Sequence, residues 1–440
     1  MPTDPSWTVV RDEIAPDTGR TDRMSNRTAV AATPKTLTYG FMFISVFALA
    51  LNLRAAASSI GPLLAEIGEG MQFGGGALGL LTSLPGLIFG ILGLLAVRIG
   101  KRFGISATLL LSALALVFGI GLRAWVDNSW LFLILSIIGL TGIAIANVLM
   151  PAWIKIHGRQ HTVKLMTVYS VCVVAAGAIG AAFTAPVAQL LSEWFSPGVG
   201  WRGALSLWGV LAIIPAVLWF IVTRRIGYDY PRTPAHTSPT KRMFRSPAAW
   251  AMMAFFSLQS TQVYVQFGWL PQIYRDAGVS ANEAGLLLAT AAVIGLVGSI
   301  IMPTVVDRSK RLWVWPVAFG AFSALGYLGL FLWPAEGRWV WAILLGIGGM
   351  AFATAISLIP ARSIDHEITA RLSGFVQPVG YILAGIGPML VGMLYTANNT
   401  WTTTLVFLFA LAVLMAAAGA LAARDVYVDD QLSPANHDLS

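Results

Sequence analysis

The sequence has little charge and almost no cysteine. Charged residues make up 11% of the 440 residues, whereas soluble domains carry about 25%. Together with a mean hydropathy of +0.73, this excludes an ordinary soluble domain. The single cysteine, Cys172, allows no intrachain disulfide. No metal-ligand spacing, phosphate-binding glycine loop, nucleotide fingerprint or nucleophile elbow occurs, so we predict neither an enzyme, nor an ATP-driven pump, nor a bound cofactor.

Acidic residues are missing from the interior of the apolar segments. Glu66 and Glu69 fall at or beyond the end of the first segment, Glu283 belongs to a helix-capping sequence, and Asp307 lies in a loop. The five histidines fall in predicted loops or in the C-terminal tail. Proton-driven carriers usually place a carboxylate or histidine within the membrane. The sequence therefore shows no obvious proton relay, and a coupling proton or ion is left open.

What the chain does contain is long apolar segments, with 57% hydrophobic residues overall. A segment of about 20 apolar residues crosses a bilayer as a helix. Twelve such segments fall near residues 38–62, 77–97, 104–126, 130–153, 165–190, 203–222, 248–272, 283–305, 313–334, 339–360, 372–395 and 402–422. We therefore predict an all-α integral membrane protein of twelve transmembrane helices.

The polar stretches divide the chain into five parts. We predict a disordered N-terminal tail at 1–37, six-helix bundles at 38–222 and 248–422, a linker at 223–247, and a C-terminal tail at 423–440. The first tail has no apolar core, so it does not resemble a cleaved signal peptide.

Lysine and arginine are distributed very unevenly between the two sets of loops. Of the 28 cationic residues, 23 fall in the tails, the linker and the alternate loops on the same side as these. Cytoplasmic loops are enriched in Lys and Arg, so we predict a multi-pass protein of the cytoplasmic membrane with both termini inside. This distribution also explains the net charge of +8 without a nucleic-acid partner.

The two halves are related by an offset of about 209 residues. Pro62 and Pro271 differ by 209, as do Pro151 and Pro360, and the basic turn beginning at Arg98 returns 210 residues later. Parallel internal repeats are typical of transporters of the major facilitator type, in which the substrate binds near the bilayer midplane between the repeats. We therefore expect two pseudo-symmetric bundles with a site between them.

Arg54 is the most informative residue, because it lies inside the first apolar segment. A cation at this depth costs at least about 2.5–3.5 kcal/mol on insertion scales, and such residues usually have a function. Since no buried carboxylate is apparent as its partner, the guanidinium is free to bind an anionic or electron-rich solute. The alternative is a structural arginine whose donors are satisfied by backbone carbonyls.

Other polar residues in apolar segments complete the predicted binding set. The offset relates Asn52 and Arg54 to Gln262 and Tyr264 on the seventh segment, which is unusually polar. Asn147 lies one turn before Pro151, where it could instead satisfy carbonyls freed by the proline. Gln377 and Tyr381 are one helical turn apart on the eleventh segment. The predicted substrate-binding residues are Asn52, Arg54, Asn147, Gln262, Tyr264, Gln377 and Tyr381.

Several short motifs resemble the cyanate and 2-nitroimidazole transporter family of the major facilitator superfamily. They include A-L-N-L-R at 50–54, G-I-A-I-A-N-V-L-M-P at 142–151, F-F-S-L-Q-S at 255–260, R-D-A-G-V-S-A-N-E-A-G-L-L-L at 275–288 and L-S-G-F-V-Q-P-V-G-Y at 372–381. The resemblance implies a twelve-helix carrier working by alternating access. It also implies gating loops on the basic side, carrying Arg98, Lys101, Arg102, Asp307, Arg308 and Arg311.

The predicted function is secondary transport of a small anionic or nitrogen-rich solute. The alternatives are a multidrug or metabolite exporter of the same fold, and a membrane receptor or scaffold that transports nothing. The expected partners are the solute and the lipid bilayer. The solute, the direction of transport and the oligomeric state are not determined by the sequence.

Overall fold

The computed structural model describes residues 37–230, 240–398 and 400–432, and no β-strand occurs among them. In this part of the chain, eleven helices are long and apolar enough to cross a membrane. A twelfth, Pro247–Asp276, has 30 residues and at 1.5 Å per residue is about 45 Å long. It does not register as a span by hydropathy because it carries the polar residues of the seventh predicted segment.

The twelve long helices are labelled α1 to α12 in chain order. They are α1 Tyr39–Ser58, α2 Gly75–Phe103, α3 Ile105–Ala115 continued by Leu116–Ile120 and Gly121–Arg123, α4 Ser129–His157, α5 Thr162–Trp194, α6 Pro197–Leu211 with Ile213–Ile226, α7 Pro247–Asp276, α8 Ala281–Arg308, α9 Val314–Leu332, α10 Arg338–Gly349 with Ala351–Ala361, α11 His366–Asn398 and α12 Thr402–Ala422.

Several helix ends differ from the predicted segments. After α1 the chain continues through a 3₁₀ turn, Gly61–Leu63, into a short helix, Leu64–Met71. Helix α6 ends at Ile226, inside the predicted linker, and a short helix, Val428–Leu432, lies in the predicted C-terminal tail. The predicted N-terminal tail, apart from residue 37, lies outside the described residues, as do 231–239 of the linker and 433–440.

The two halves repeat the same pattern of neighbouring helices. In the first half α1 packs on α5, α2 on α4, and α3 on α6. In the second half α7 packs on α11, α8 on α10, and α9 on α12. Each half is thus a six-helix bundle of the same design, as the sequence offset predicts.

The halves meet mainly along two helix pairs, α2 with α11 and α5 with α8. Glycine permits the close approach of the first pair: a Cβ atom on Gly86 would lie 2.8 Å from the Cα atom of Gly385. In membranes, where lipid tails are as apolar as leucine, such close packing of small residues holds helices together.

The first residues of the linker are attached to the first half by a buried carboxylate. Asp229 accepts hydrogen bonds from the backbone nitrogen and Oγ of Ser106, at 3.0 Å and 2.6 Å, and from Nε2 of His157 at 3.0 Å. Because Ser106 lies in the first turn of α3, Asp229 satisfies one of that helix's unpaired N–H groups. Burial raises the pKa of the Asp229 carboxyl, but the hydrogen bonds from His157 and Ser106 outweigh it and hold that pKa below its ordinary value.

Candidate functional site

Two adjoining cavities lie between the halves, and both are lined by Arg54, Tyr264 and Phe267. The larger has a volume of about 110 Å³ and the smaller about 30 Å³. Arg54 belongs to α1 of the first half, whereas Tyr264 and Phe267 belong to α7 of the second. The cavities are therefore formed by both repeats, at the position where two-bundle transporters bind their substrates.

Arg54 lies near the middle of the 33-residue span Tyr39–Met71 and is partly exposed to the cavities. Its guanidinium carbon lies 6.0 Å from the centre of the Phe267 ring, within cation–π range. None of the ion pairs or side-chain hydrogen bonds found among the described residues involves this guanidinium. Its five N–H donors are thus available to whatever enters the cavity.

Two tyrosines, Tyr264 and Tyr381, share the larger cavity with Arg54. The rings of Tyr264 and Tyr381 are 6.3 Å apart, and both line the larger cavity. Neither of these two hydroxyls has a hydrogen-bond partner within the described part of the chain. The cavity therefore offers one cation and two free hydroxyl groups, which together suit a ligand with oxygen or nitrogen acceptors.

The remaining lining of the larger cavity is mostly apolar. Its other polar side chains are Ser260, Gln266 and Ser299, and Gln266 already donates to the Tyr327 hydroxyl at 3.2 Å. Phe352 adds an aromatic face. Such a site, apolar with a few polar groups that fix orientation, is the usual form of a small-molecule pocket.

Four of the predicted binding residues do not line either cavity, namely Asn52, Asn147, Gln262 and Gln377. The Asn52 amide donates to the Ala48 carbonyl at 3.0 Å, within its own helix. The Gln262 amide lies 3.4 Å from the sulfur of Met415, and the Gln377 amide donates to Ser373 Oγ at 2.7 Å. Residues two apart on a helix point about 200° apart, so Asn52 faces away from Arg54 and Gln262 away from Tyr264.

Asn147 is hydrogen-bonded to Tyr169, a residue that also lines neither cavity. The Tyr169 hydroxyl donates to the Asn147 side-chain oxygen at 3.1 Å. The sequence does not distinguish an aromatic residue that lines a cavity from one that packs between helices. For this reason it did not single out Tyr169, nor Phe267 and Phe352, which line the larger cavity.

One end of the interface between the halves is closed by polar contacts. The Arg275 guanidinium makes a bidentate ion pair with the Glu66 carboxylate, with both N–O distances 2.8 Å. At the same end, Asn282 of α8 donates to Gln189 of α5 at 2.8 Å. Glu66 and Arg275 differ by 209 positions, so the repeat offset could have revealed this pair.

The opposite end carries the predicted gating residues, all of them exposed. Arg98, Lys101 and Arg102 lie in the last turns of α2, Asp307 and Arg308 lie at the end of α8, and Arg311 follows it, so the helices extend into the loops that the sequence predicted. Among the described residues, no ion pair or side-chain hydrogen bond connects these two groups. The side-chain hydrogen bonds that join the halves within the described part of the chain lie at the Glu66 end.

Comparison with known proteins gives matches over nearly the whole chain. The family profile of the Major Facilitator Superfamily matches residues 42–388 and also 258–438. The chain is 31% identical to an uncharacterized transporter of Bacillus subtilis (strain 168), over 88% of this chain and 94% of that protein. It is 33% identical to the 2-nitroimidazole transporter of Escherichia coli (strain K12), over 87% and 95%. It is 28% identical to the cyanate transport protein CynX of the same organism, over 82% and 91%.

Solved structures match the fold at lower sequence identity. A bacterial homologue of the human lysosomal transporter Spinster, in an inward-facing and occupied conformation, superimposes with a TM-score of 0.69 at 17% identity. The alignment covers 90% of this chain and 99% of that one. At this identity the likeness establishes the arrangement of the helices and nothing about the solute.

Proposed function

The chain belongs to the Major Facilitator Superfamily, and from that premise we propose that it is a secondary transporter for a small anionic or nitrogen-rich polar solute. The family and its curated relatives are membrane transporters and not enzymes. The identity of the solute and movement by alternating access are our proposals.

The observation that carries the proposal is the unpaired guanidinium of Arg54 in a cavity shared by both halves. A guanidinium removed from bulk water costs free energy unless it is paired or hydrogen-bonded. Since no carboxylate of the described chain pairs with the Arg54 guanidinium, we propose that the solute is its partner. Tyr264 and Tyr381 are placed to hold the same solute through their hydroxyls.

The aromatic lining supports a flat solute in particular. Phe267 lies beside the guanidinium, Phe89 lines the smaller cavity, and Phe352 lines the larger cavity with Tyr381. Flat apolar surfaces favour stacking with a planar molecule. A planar anion or nitro-substituted heterocycle fits this combination of one cation, free hydroxyls and aromatic rings, in keeping with the names of two relatives.

We further propose that both termini and the linker are cytoplasmic, because 23 of the 28 cationic residues fall on their side. With this orientation the Glu66 end faces outward. The exposed helix ends that carry Arg98 and Asp307 then face the cytoplasm, and we propose that they form the gate at that end.

Transport by the purified protein in proteoliposomes tests the proposal directly. The vesicles are preloaded with an unlabelled planar anion or nitroheterocycle, and the labelled solute is added outside. We expect vesicles that contain the protein to take up more label than protein-free vesicles do. Binding of such solutes without any counterflow would favour a receptor instead. Resistance of an expressing strain to unrelated drugs, without counterflow of small anions, would favour the exporter.

The neighbouring residues Tyr264 and Gln262 provide a matched pair of variants. Tyr264→Phe removes a hydroxyl from the cavity, and a hydrogen bond to a charged group contributes about 1.5–3 kcal/mol. We therefore expect KM for transport to rise roughly tenfold or more. Gln262→Met changes a side chain that packs on Met415, outside the cavity, so KM should remain at the wild-type value. Equal KM values for the two variants would contradict the assignment of Tyr264.

A further inference from the structure

The larger cavity extends along several turns of α8. Four of its lining residues are three or four positions apart on that helix and therefore share one face: Leu288, Ala291, Gly295 and Ser299. At 1.5 Å per residue, the first and last of these are about 16 Å apart along the helix axis. A small anion without a ring, bound at Arg54, would leave most of this space unfilled.

Two glycines of the second half line the same cavity, Gly295 of α8 and Gly349 of α10. A Cβ atom on Gly349 would lie 3.8 Å from the Cα atom of Gly295. A Cβ atom on Gly295 would lie 3.8 Å from the carbonyl oxygen of Gly346. These are ordinary van der Waals distances, so the packing of α8 against α10 does not require glycine at either position.

Other glycines of these two helices are packed more tightly. A Cβ atom on Gly298 would lie 2.7 Å from the Cβ atom of Met350, and one on Gly346 would lie 2.9 Å from the carbonyl oxygen of Ala291. Glycine at these two positions allows the helices to approach one another. Because glycine is less favourable than alanine in a helix, Gly295 and Gly349 need a different explanation, and the space that they leave lies in the cavity.

This space and the Arg54 guanidinium belong to opposite halves of the protein. Arg54 is on α1, whereas Gly295 and Gly349 are on α8 and α10. Phe352 follows Gly349 by three residues and lines the same cavity, so an aromatic face lies next to the space. A solute with a polar group at Arg54 and a flat ring at Phe352 would use both sides of the cavity.

We propose that Gly295 and Gly349 determine the size of the solute, making room for an aromatic ring whose anionic or nitro group is bound by Arg54. This inference rests on the proposed transport function and names ring-containing solutes as its substrate class, in preference to small anions without a ring. Gly295 and Gly349 are thus specificity-determining residues, which accommodate the body of the solute and leave its polar group to Arg54.

The test compares probes with and without a ring. Benzoate and acetate share a carboxylate, and 4-nitroimidazole and nitrate both present oxygen atoms bound to nitrogen. Dissociation constants are obtained from the rise in melting temperature of the purified full-length protein with probe concentration. We expect the wild-type protein to bind each ring probe at least about tenfold more tightly than its ringless partner, since each additional buried carbon in an apolar pocket strengthens binding.

Gly295→Ala and Gly349→Ala should each weaken binding of the ring probes roughly tenfold, the effect of one methyl group in an apolar pocket. Binding of acetate and nitrate should not change, because a small anion at Arg54 does not reach the added methyl group. The melting temperature without probe should stay equal or rise, because alanine favours the helix and meets no close neighbour at either position.

Gly374→Ala is the matched control, because a Cβ atom there would meet nothing within 4 Å and Gly374 does not line the cavity. It should leave the binding of all four probes unchanged. Equal affinity of the wild-type protein for ring and ringless probes, unchanged binding of the ring probes in both cavity variants, or an equal loss for all four probes would each overturn the proposal. If none of the four probes stabilises the wild-type protein, the proposed function itself is contradicted, and this inference fails with it.

Discussion

Arg54→Gln should lose the stabilisation that a transported solute gives the wild-type protein, while melting at an equal or higher temperature without solute. A solute at 100 times its Kd stabilises the protein by about 2.7 kcal/mol, and most of this should disappear with the guanidinium. The unliganded protein should not suffer, because Arg54 makes no described hydrogen bond that the substitution would break. The measurement is the melting temperature of the detergent-solubilised protein, with and without solute.

Arg54→Lys separates charge from geometry in the same experiment. An ammonium group keeps the positive charge but cannot form the two parallel hydrogen bonds of a guanidinium. We expect this variant to insert and fold normally, to retain a weak solute-induced shift, and to lose most transport. Full transport by Arg54→Lys would show that the charge alone is sufficient.

Arg362 is the matched control, since it is a buried arginine whose guanidinium is bound by the protein itself. It is 7% exposed, its Nη1 pairs with the Asp425 carboxylate at 2.8 Å, and its Nη2 donates to the Ala423 carbonyl at 2.8 Å. Arg362→Gln should lower the melting temperature and preserve the solute-induced shift. If Arg54→Gln behaves in this way instead, the proposed binding role of Arg54 is wrong.

Gly385→Ala should lower the melting temperature by several degrees and slow transport strongly. A Cβ atom at this position would lie 2.7 Å from the backbone nitrogen of Leu87 on α2. A backbone atom cannot move away by rotating about a side-chain bond. The substitution therefore forces α2 and α11 apart along the main contact between the halves. Inserting an extra carbon into a packed interior costs about 1–3 kcal/mol, and melting of the purified protein together with counterflow measures both effects.

Gly374 on the same helix provides the comparison for Gly385. A Cβ atom at Gly374 would meet nothing within 4 Å, and alanine is preferred over glycine in helices by about 1 kcal/mol. Gly374→Ala should therefore melt at the same or a higher temperature and transport normally. A similar loss in both variants would point to a general effect of helix α11 and not to the contact with α2.

The sequence by itself determined the class of protein and much of its architecture. The long apolar segments predicted the spanning helices, since no other use of so many consecutive apolar residues satisfies the backbone. The offset between the halves predicted two similar bundles, and the helices of each half do pack in the same order. The sequence also singled out Arg54, because a charged residue within an apolar segment can be recognised without a structure. The repeat offset then related Arg54 to Tyr264, which lines the same cavities.

Only the tertiary structure decided which polar side chains face the cavity. Each helical residue is turned by about 100° from the one before it, and the polar residues of α7 are so numerous that composition cannot fix which face turns inward. The packing of α7 against α12 turns Gln262 toward Met415 and leaves Tyr264 facing Arg54. Likewise, Glu66 lies in the short helix after α1 and Arg275 in the last turn of α7, and the sequence alone does not show that these two charges meet. Contacts between distant segments depend on how the helices are rotated and which end is closed, and those are properties of the assembled fold.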